Sequence, residues 1–172
     1  MAWGREHPEI AAVYTTKGFA TVLTFGYRGV AVALENPCIQ EGVRITKEVL
    51  SSLKGIGDQA GVRIGVVLIP TKETVYAAAD SALHQPAAAG FAAMLRNEAE
   101  IKQDMLGHCQ KIGLVCVDAT SRLVDAAKKG VLVYKSDSDG HPMAAGYRQI
   151  AYAAREALTA PGGAPNSATP RP

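Results

Sequence analysis

The sequence predicts an α/β fold, and three observations carry that expectation. Val62–Ile69 is a mostly apolar run of strand length closed by Pro70, the pattern of a strand buried on both faces. A second short run, Gly113-Leu114-Val115-Cys116-Val117, is closed by Asp118. Before and between these runs, residues 39–60 and 87–107 repeat their apolar residues at helical spacing instead. Helix, buried strand, helix, buried strand is the order in which α/β sheets are assembled.

Taken from the N-terminus, residues 1–18 show no clear period. Phe19–Thr24 has β-branched residues and reads as a strand or an extended segment. After Gly26-Tyr27-Arg28-Gly29 comes a second apolar run, Val30–Leu34, ended by Glu35-Asn36-Pro37. The two runs are compatible with a hairpin or with an excursion from a larger sheet. In the helix from Ile39 to about Ala60, Val43, Val49, Leu50, Leu53 and Ile56 form the expected inward set, and Gly55 and Gly57 loosen its end. Thr71–Ala77 follows the first buried strand as a loop entering a short helical turn. The helix over 87–107 presents Phe91, Met94, Leu95, Ile101, Met105 and Leu106 inward. Ser121–Lys129 reads as a helix ended by Gly130, and Val131–Tyr134 as an extended lead-in to a polar loop at Ser136–His141. Residues 143–158 form the last helix, with Tyr147, Ile150, Ala151, Ala154 and Leu158 near one face. The Pro- and Gly-rich tail from 159 to 172 is expected to be disordered. No internal repeat is present, so 1–158 is one domain followed by that tail.

Composition excludes several classes. The chain has 172 residues, 48% hydrophobic and 20% charged, enough for one domain with a core. Its 18 basic and 16 acidic residues leave a net charge of +2 with no basic run, which gives no argument for nucleic acid. No apolar run approaches the roughly 18 residues of a membrane span, and Met1–Pro8 lacks the apolar core of a signal peptide. The start looks abrupt, as though the chain began inside a larger protein. Cys38, Cys109 and Cys116 show neither metal-ligand spacing nor a dense disulfide pattern. Within its apolar run Cys116 reads as a buried, inert thiol.

The stretch with chemistry in it is Ser136-Asp137-Ser138-Asp139-Gly140-His141-Pro142. Asp139 can accept a hydrogen bond from one imidazole nitrogen of His141, which fixes the tautomer and leaves the other nitrogen as a base. Pro142 suits a first helical turn, and the Asp139 carboxylate could cap that helix. Alone, the triplet is better read as a polar loop with a helix cap and a solvated histidine.

Three segments together resemble the C-terminal portion of an SGNH (GDSL-type) hydrolase, in a branch related to polysaccharide O-acetyltransferases. They are Ile69-Pro70-Thr71-Lys72-Glu73-Thr74-Val75-Tyr76, the strand Gly113–Val117 with Asp118, and Asp139-Gly140-His141-Pro142 with Ala145-Gly146-Tyr147. The resemblance covers about residues 20–158. It implies a three-layer α/β/α sandwich around a mainly parallel, flavodoxin-like sheet, and an esterase or acyltransferase acting through serine, histidine and aspartate. His141 would be its general base and Asp139 the orienter. Acetyl groups on a carbohydrate are one substrate that the branch implies, with no metal or organic cofactor, and members of the branch are often exported.

The family's Gly-Asp-Ser nucleophile motif is absent, and neither Asn36 nor Asn97 matches its oxyanion asparagine. The expectation is therefore of an incomplete domain, lacking its N-terminal strand and nucleophile elbow, with the serine to be sought upstream. A sheet missing a strand leaves an open edge, which invites self-association. The alternative class is a non-catalytic module that keeps this fold without turnover.

Other candidates are weaker. Lys72, just past a strand end where ligands of open α/β sheets bind, is a candidate substrate contact or part of a solvated turn over Tyr76. Asp118 is better read as a helix cap than as catalytic. His7, His84 and His108 have no spacing that suggests a metal site, and no Gly-rich loop matches a phosphate-binding fingerprint.

Overall fold

The computed structural model describes residues 1–80 and 89–160. A short helix α1 (Ala2–Glu6) leads into a hairpin of β1 (Ala12–Thr15) and β2 (Ala20–Leu23). These strands pair antiparallel, with Ala12 opposite Leu23 and Thr15 opposite Ala20. The hairpin partner of the Phe19–Thr24 run is thus the unassigned N-terminal stretch. The second apolar run is not a strand: α2 (Phe25–Ala31) takes its first residues and the rest is turn. Phe25 packs against Phe91 with ring centroids 5.1 Å apart, which fastens α2 at its first turn, while Val30 of the run is exposed.

Helix α3 (Pro37–Ala60) starts as its sequence dictates, with Asn36 accepting from the Cys38 N–H and Pro37 in the first turn. Gly61, at φ +67°, ends it in the left-handed conformation that a Cβ disfavours. Strand β3 (Gly65–Leu68) follows, then α4 (Lys72–Ala79), α5 (Ala89–Ile112), β4 (Val115–Asp118), α6 (Thr120–Lys128) and α7 (Ala144–Thr159). β3 and β4 pair in parallel, Gly65 opposite Val115 and Leu68 opposite Asp118. Val131–Tyr134 makes no strand, only a bridge from Tyr134 to Pro142.

The parallel pair is covered on both faces, because successive side chains point to opposite sides. Val67 and Val117 face the larger core, which holds Leu23, Phe25, Val75, Tyr76, Leu123, Tyr134 and Ala153. Val66, Leu68 and Cys116 face a smaller core of Leu50, Met105, Cys109 and Leu114. Helix α7 lies along both strands, α5 contacts β4, and α3 packs on α5. The protein is mixed α/β, with one parallel and one antiparallel pair among the described residues.

Two helical faces differ from the periodicity reading. In α7 the buried residues are Gly146, Ala153 and Ala157, whereas Tyr147 and Leu158 are exposed. The helix approaches the strands too closely for bulk. A Cβ on Gly65 would lie 2.9 Å from the Ala157 Cβ, and one on Gly146 would overlap the Val133 carbonyl. In α3 only Leu50 of the expected inward set is buried; Val49, Leu53 and Ile56 are exposed, Ile56 at 61%. Cys116 is not a free thiol but is bonded to Cys109, tying the end of α5 to β4. Thr159 closes α7, so the helix runs one residue past the expected domain end. His84, the start of the 87–107 helix and the tail beyond 160 lie outside the described residues.

Candidate functional site

Two segments distant in sequence are stitched together beyond the C-terminal end of β3. The first is Pro70–Tyr76, the second Val133–His141. The Tyr134 hydroxyl donates to the Pro70 carbonyl at 2.6 Å, and the Tyr134 N–H donates to the Tyr76 hydroxyl at 3.3 Å. Both rings are buried, with Tyr76 stacked on Tyr14 at 4.7 Å. Desolvation pushes both phenol pKa values up, so they remain hydrogen-bond donors.

Lys72 completes the seam. The residue is 1% exposed, and its ammonium donates to the carbonyls of Lys135 (2.7 Å), Asp137 (2.5 Å) and Asp139 (3.4 Å). Desolvation pulls its pKa down to about 8 against the pull of Glu73, Asp137 and Asp139. Neither sequence reading of Lys72 describes this. It is not in a solvated turn, and its three donors are spent on the loop's backbone rather than held out to a substrate. The Thr21 hydroxyl of β2 adds a further bond to the Lys135 carbonyl at 3.0 Å.

The neighbouring polar residues fix α4 and α2. Glu73, equally buried, accepts from the Thr24 N–H at 2.8 Å where α2 begins, while its Oε2 has no partner. Thr71 caps α4 by accepting from the Thr74 N–H, and Glu98 of α5 accepts from the Thr71 N–H and from both threonine hydroxyls. Asp118 accepts from the Thr120 N–H at 2.9 Å at the start of α6 and pairs with Lys102 at 2.9 Å. Burial would raise its pKa, but these partners hold it below the ordinary value.

On this frame the Asp139–His141 loop presents an imidazole to solvent. Asp139 Oδ1 lies 2.5 Å from His141 Nδ1 and also accepts the His141 N–H at 2.9 Å. Asp139 Oδ2 accepts from the Lys135 ammonium at 2.6 Å, and Asp137 accepts the Asp139 N–H at 2.8 Å. Lys135 first, then the His141 N–H and ring, hold the Asp139 carboxyl well below the usual carboxylate range. An ionised carboxylate only accepts, so the proton between the two side chains sits on Nδ1 and the lone pair on Nε2. The His141 side chain is 75% exposed, and Nε2 has no partner among the described residues. Asp139 caps no helix: α7 begins after Met143 without a side-chain cap, and Pro142 precedes it.

Sequence reasoning missed Lys135, although its position four residues before Asp139 was a usable signal. It also missed Arg28, whose guanidinium packs on Gly140, between the acid and the base.

Among the described residues no serine hydroxyl is bonded to this imidazole. Ser136 and Ser138 are exposed in the loop, and neither bonds to His141. Ser51 does meet a histidine, lying 3.0 Å from His108 Nε2 where α3 packs on α5. That nitrogen also lies 2.9 Å from the Lys47 carbonyl, an acceptor, so Nε2 carries hydrogen and is no base toward Ser51. The Ser51 hydroxyl is itself on the Lys47 carbonyl at 3.0 Å. This pair fastens two helices.

Comparison with protein-family models, curated proteins and solved structures finds no match to this chain. No helix among the described residues is long and apolar enough to cross a membrane.

Proposed function

We propose that the protein carries the acid–base half of an ester-hydrolysing or acyl-transferring site on an SGNH-type three-layer sandwich, with His141 as general base and Asp139 as its orienter. The observation that carries this reading is the 2.5 Å contact between Asp139 Oδ1 and His141 Nδ1, with Nε2 open to solvent. A serine hydroxyl brought to Nε2 loses its proton there as its oxygen attacks an ester carbonyl. Collapse of the tetrahedral adduct returns that proton to the leaving alcohol and leaves an acyl-serine. Water or an acceptor alcohol then repeats the steps in reverse. Proton transfer through such a positioned base contributes about 10²–10⁴-fold. The substrate class is a small or carbohydrate ester, an acetyl ester being the form that the sequence resemblance favours.

A second reading has its own observation. Asp139 is already satisfied by Lys135, and no described hydroxyl reaches Nε2, which is what a non-catalytic interaction module of the same fold would show. Hydrolysis of p-nitrophenyl acetate by the wild-type chain, beside His141→Ala, Ser136→Ala and Ser138→Ala, separates the two. The catalytic reading expects turnover lost with His141. Equal rates in wild type and H141A sink it for this chain, and a rate lost with either serine names the nucleophile.

A further inference from the structure

The Arg28 guanidinium takes no part in the hydrogen bonds that stitch the seam. It sits on α2, half-buried, and it forms no ion pair or hydrogen bond among the described residues. Its nearest ring, Tyr27, lies 5.4 Å from Cζ and is its own chain neighbour. The guanidinium occupies the space above Gly140 that a side chain would fill: a Cβ built there would stand 3.0 Å from Cζ and overlap a terminal nitrogen. The cation is therefore held against the residue between Asp139 and His141. The acids of the loop that it packs on are engaged elsewhere, Asp139 with Lys135 and His141, and Asp137 with the Asp139 N–H.

A guanidinium drawn partly out of water without a counter-ion is a costly arrangement unless something negative completes it. Its planar donor fork matches carboxylate and phosphate oxygens, which take two parallel N–H bonds at once. Gly140 is the permissive half of this arrangement, because any larger residue there would push the fork away.

We propose that Arg28 is an anion-binding residue of the His141 site, which takes a carboxylate or phosphate group of the ligand on its donor fork. If His141 is the general base of ester chemistry, the ester acted on carries an oxyanion near the bond that reacts. The anion site itself stands on Arg28 and does not need turnover.

The test is a titration of the full chain with sodium acetate and, separately, sodium phosphate, followed by NMR on the His141 ring and the Arg28 Nε–H. The expected result is a saturable shift of both signals with at least one anion. That affinity falls about tenfold or more in Arg28→Gln, the loss of a charge-assisted bond. Arg28→Lys, which keeps the charge but not the fork, weakens it less, and Lys54→Gln, which removes a distant charge, leaves it unchanged. Acetate alone, phosphate alone or both shifting tells which oxyanion the fork accepts. Identical titrations of wild type and R28Q overturn the proposal, as does a wild-type chain whose Arg28 signal does not move with either anion. The Arg28 signal needs no variant, so a poorly folded R28Q leaves the decision intact. Failure of the ester assay with retained anion binding removes the catalytic reading and keeps this one.

Discussion

His141 and Lys72 play opposite parts in the same loop, one offered to solvent and the other withdrawn from it. Replacing Lys72 with methionine takes the ammonium from the Asp137 and Asp139 carbonyls and leaves the Lys135 carbonyl only the Thr21 hydroxyl, and the expected cost is about 2–4 kcal/mol. Urea unfolding of Lys72→Met should show that loss, and the His141 ring signals should broaden as the loop is released. Asp139 gives a pH dependence whose sign follows from its depressed pKa. Its contribution to stability is complete above the ordinary carboxylate value, 3.8, and is lost as pH falls toward the folded one. The urea midpoint of the wild type should therefore exceed that of Asp139→Asn at pH 6, with the gap closing below about pH 3. A gap that widens on acidification would contradict the assigned pairing. The Asp139–His141 pair was legible in the sequence because the partners stand two residues apart. The role of Lys72 was not, since its acceptors are backbone carbonyls 63 to 67 residues away, and no side-chain type marks a carbonyl.

Bulk marked the buried face of β3, β4 and α5, but it misled on α3, where Val49, Leu53 and Ile56 are exposed, and small residues hid the face of α7. β3, β4 and α5 carry Val, Leu, Phe and Met inward, as the pattern predicts. α7 turns Gly146, Ala153 and Ala157 inward because Gly65 and the Val133 carbonyl leave no room for more. Hydrophobic periodicity gives such a face no weight. Gly146→Val should cost more than about 2 kcal/mol by thermal melt, since the clash is with backbone, whereas Tyr147→Ala should stay within about 0.5 kcal/mol. The Cys109–Cys116 bridge was hidden for a different reason. Its two halves belong to a helix end and a strand start, brought together by the turn at Gly113, whose φ is +67°. Reduction should lower stability by about 2 kcal/mol, the scale for a short closed loop, and an unchanged urea midpoint in reductant would deny the bridge that weight.

Taken whole, the molecule leaves several large apolar side chains exposed. Val49, Leu53 and Ile56 of α3 are exposed, as are Val62 and Ile69 at the two ends of the β3 region. Among the described residues β3 pairs with β4 on one side only, and parallel geometry turns alternate backbone groups toward its other edge. A two-stranded parallel sheet with an open edge is rare, because such sheets are buried and extended by neighbours. Light scattering should find the purified chain self-associated, and Val49→Lys with Ile56→Lys should shift it to smaller species. A monodisperse monomer of the wild type would refute the expectation that these residues are covered. The α/β character was legible because buried strands and long helices alternate along the chain. The pairing of the strands was not, because a strand edge is a row of backbone groups that sequence does not distinguish.

The role assigned to His141 depends on which ring nitrogen carries the proton. Long-range ¹H–¹⁵N NMR of the wild-type chain, at a pH where the ring is neutral, reads this directly. The structure predicts hydrogen on Nδ1 and a lone pair on Nε2, with the preference lost in Asp139→Asn. Hydrogen on Nε2 in the wild type would mean that Asp139 does not orient the ring, and His141 would be an ordinary solvated histidine.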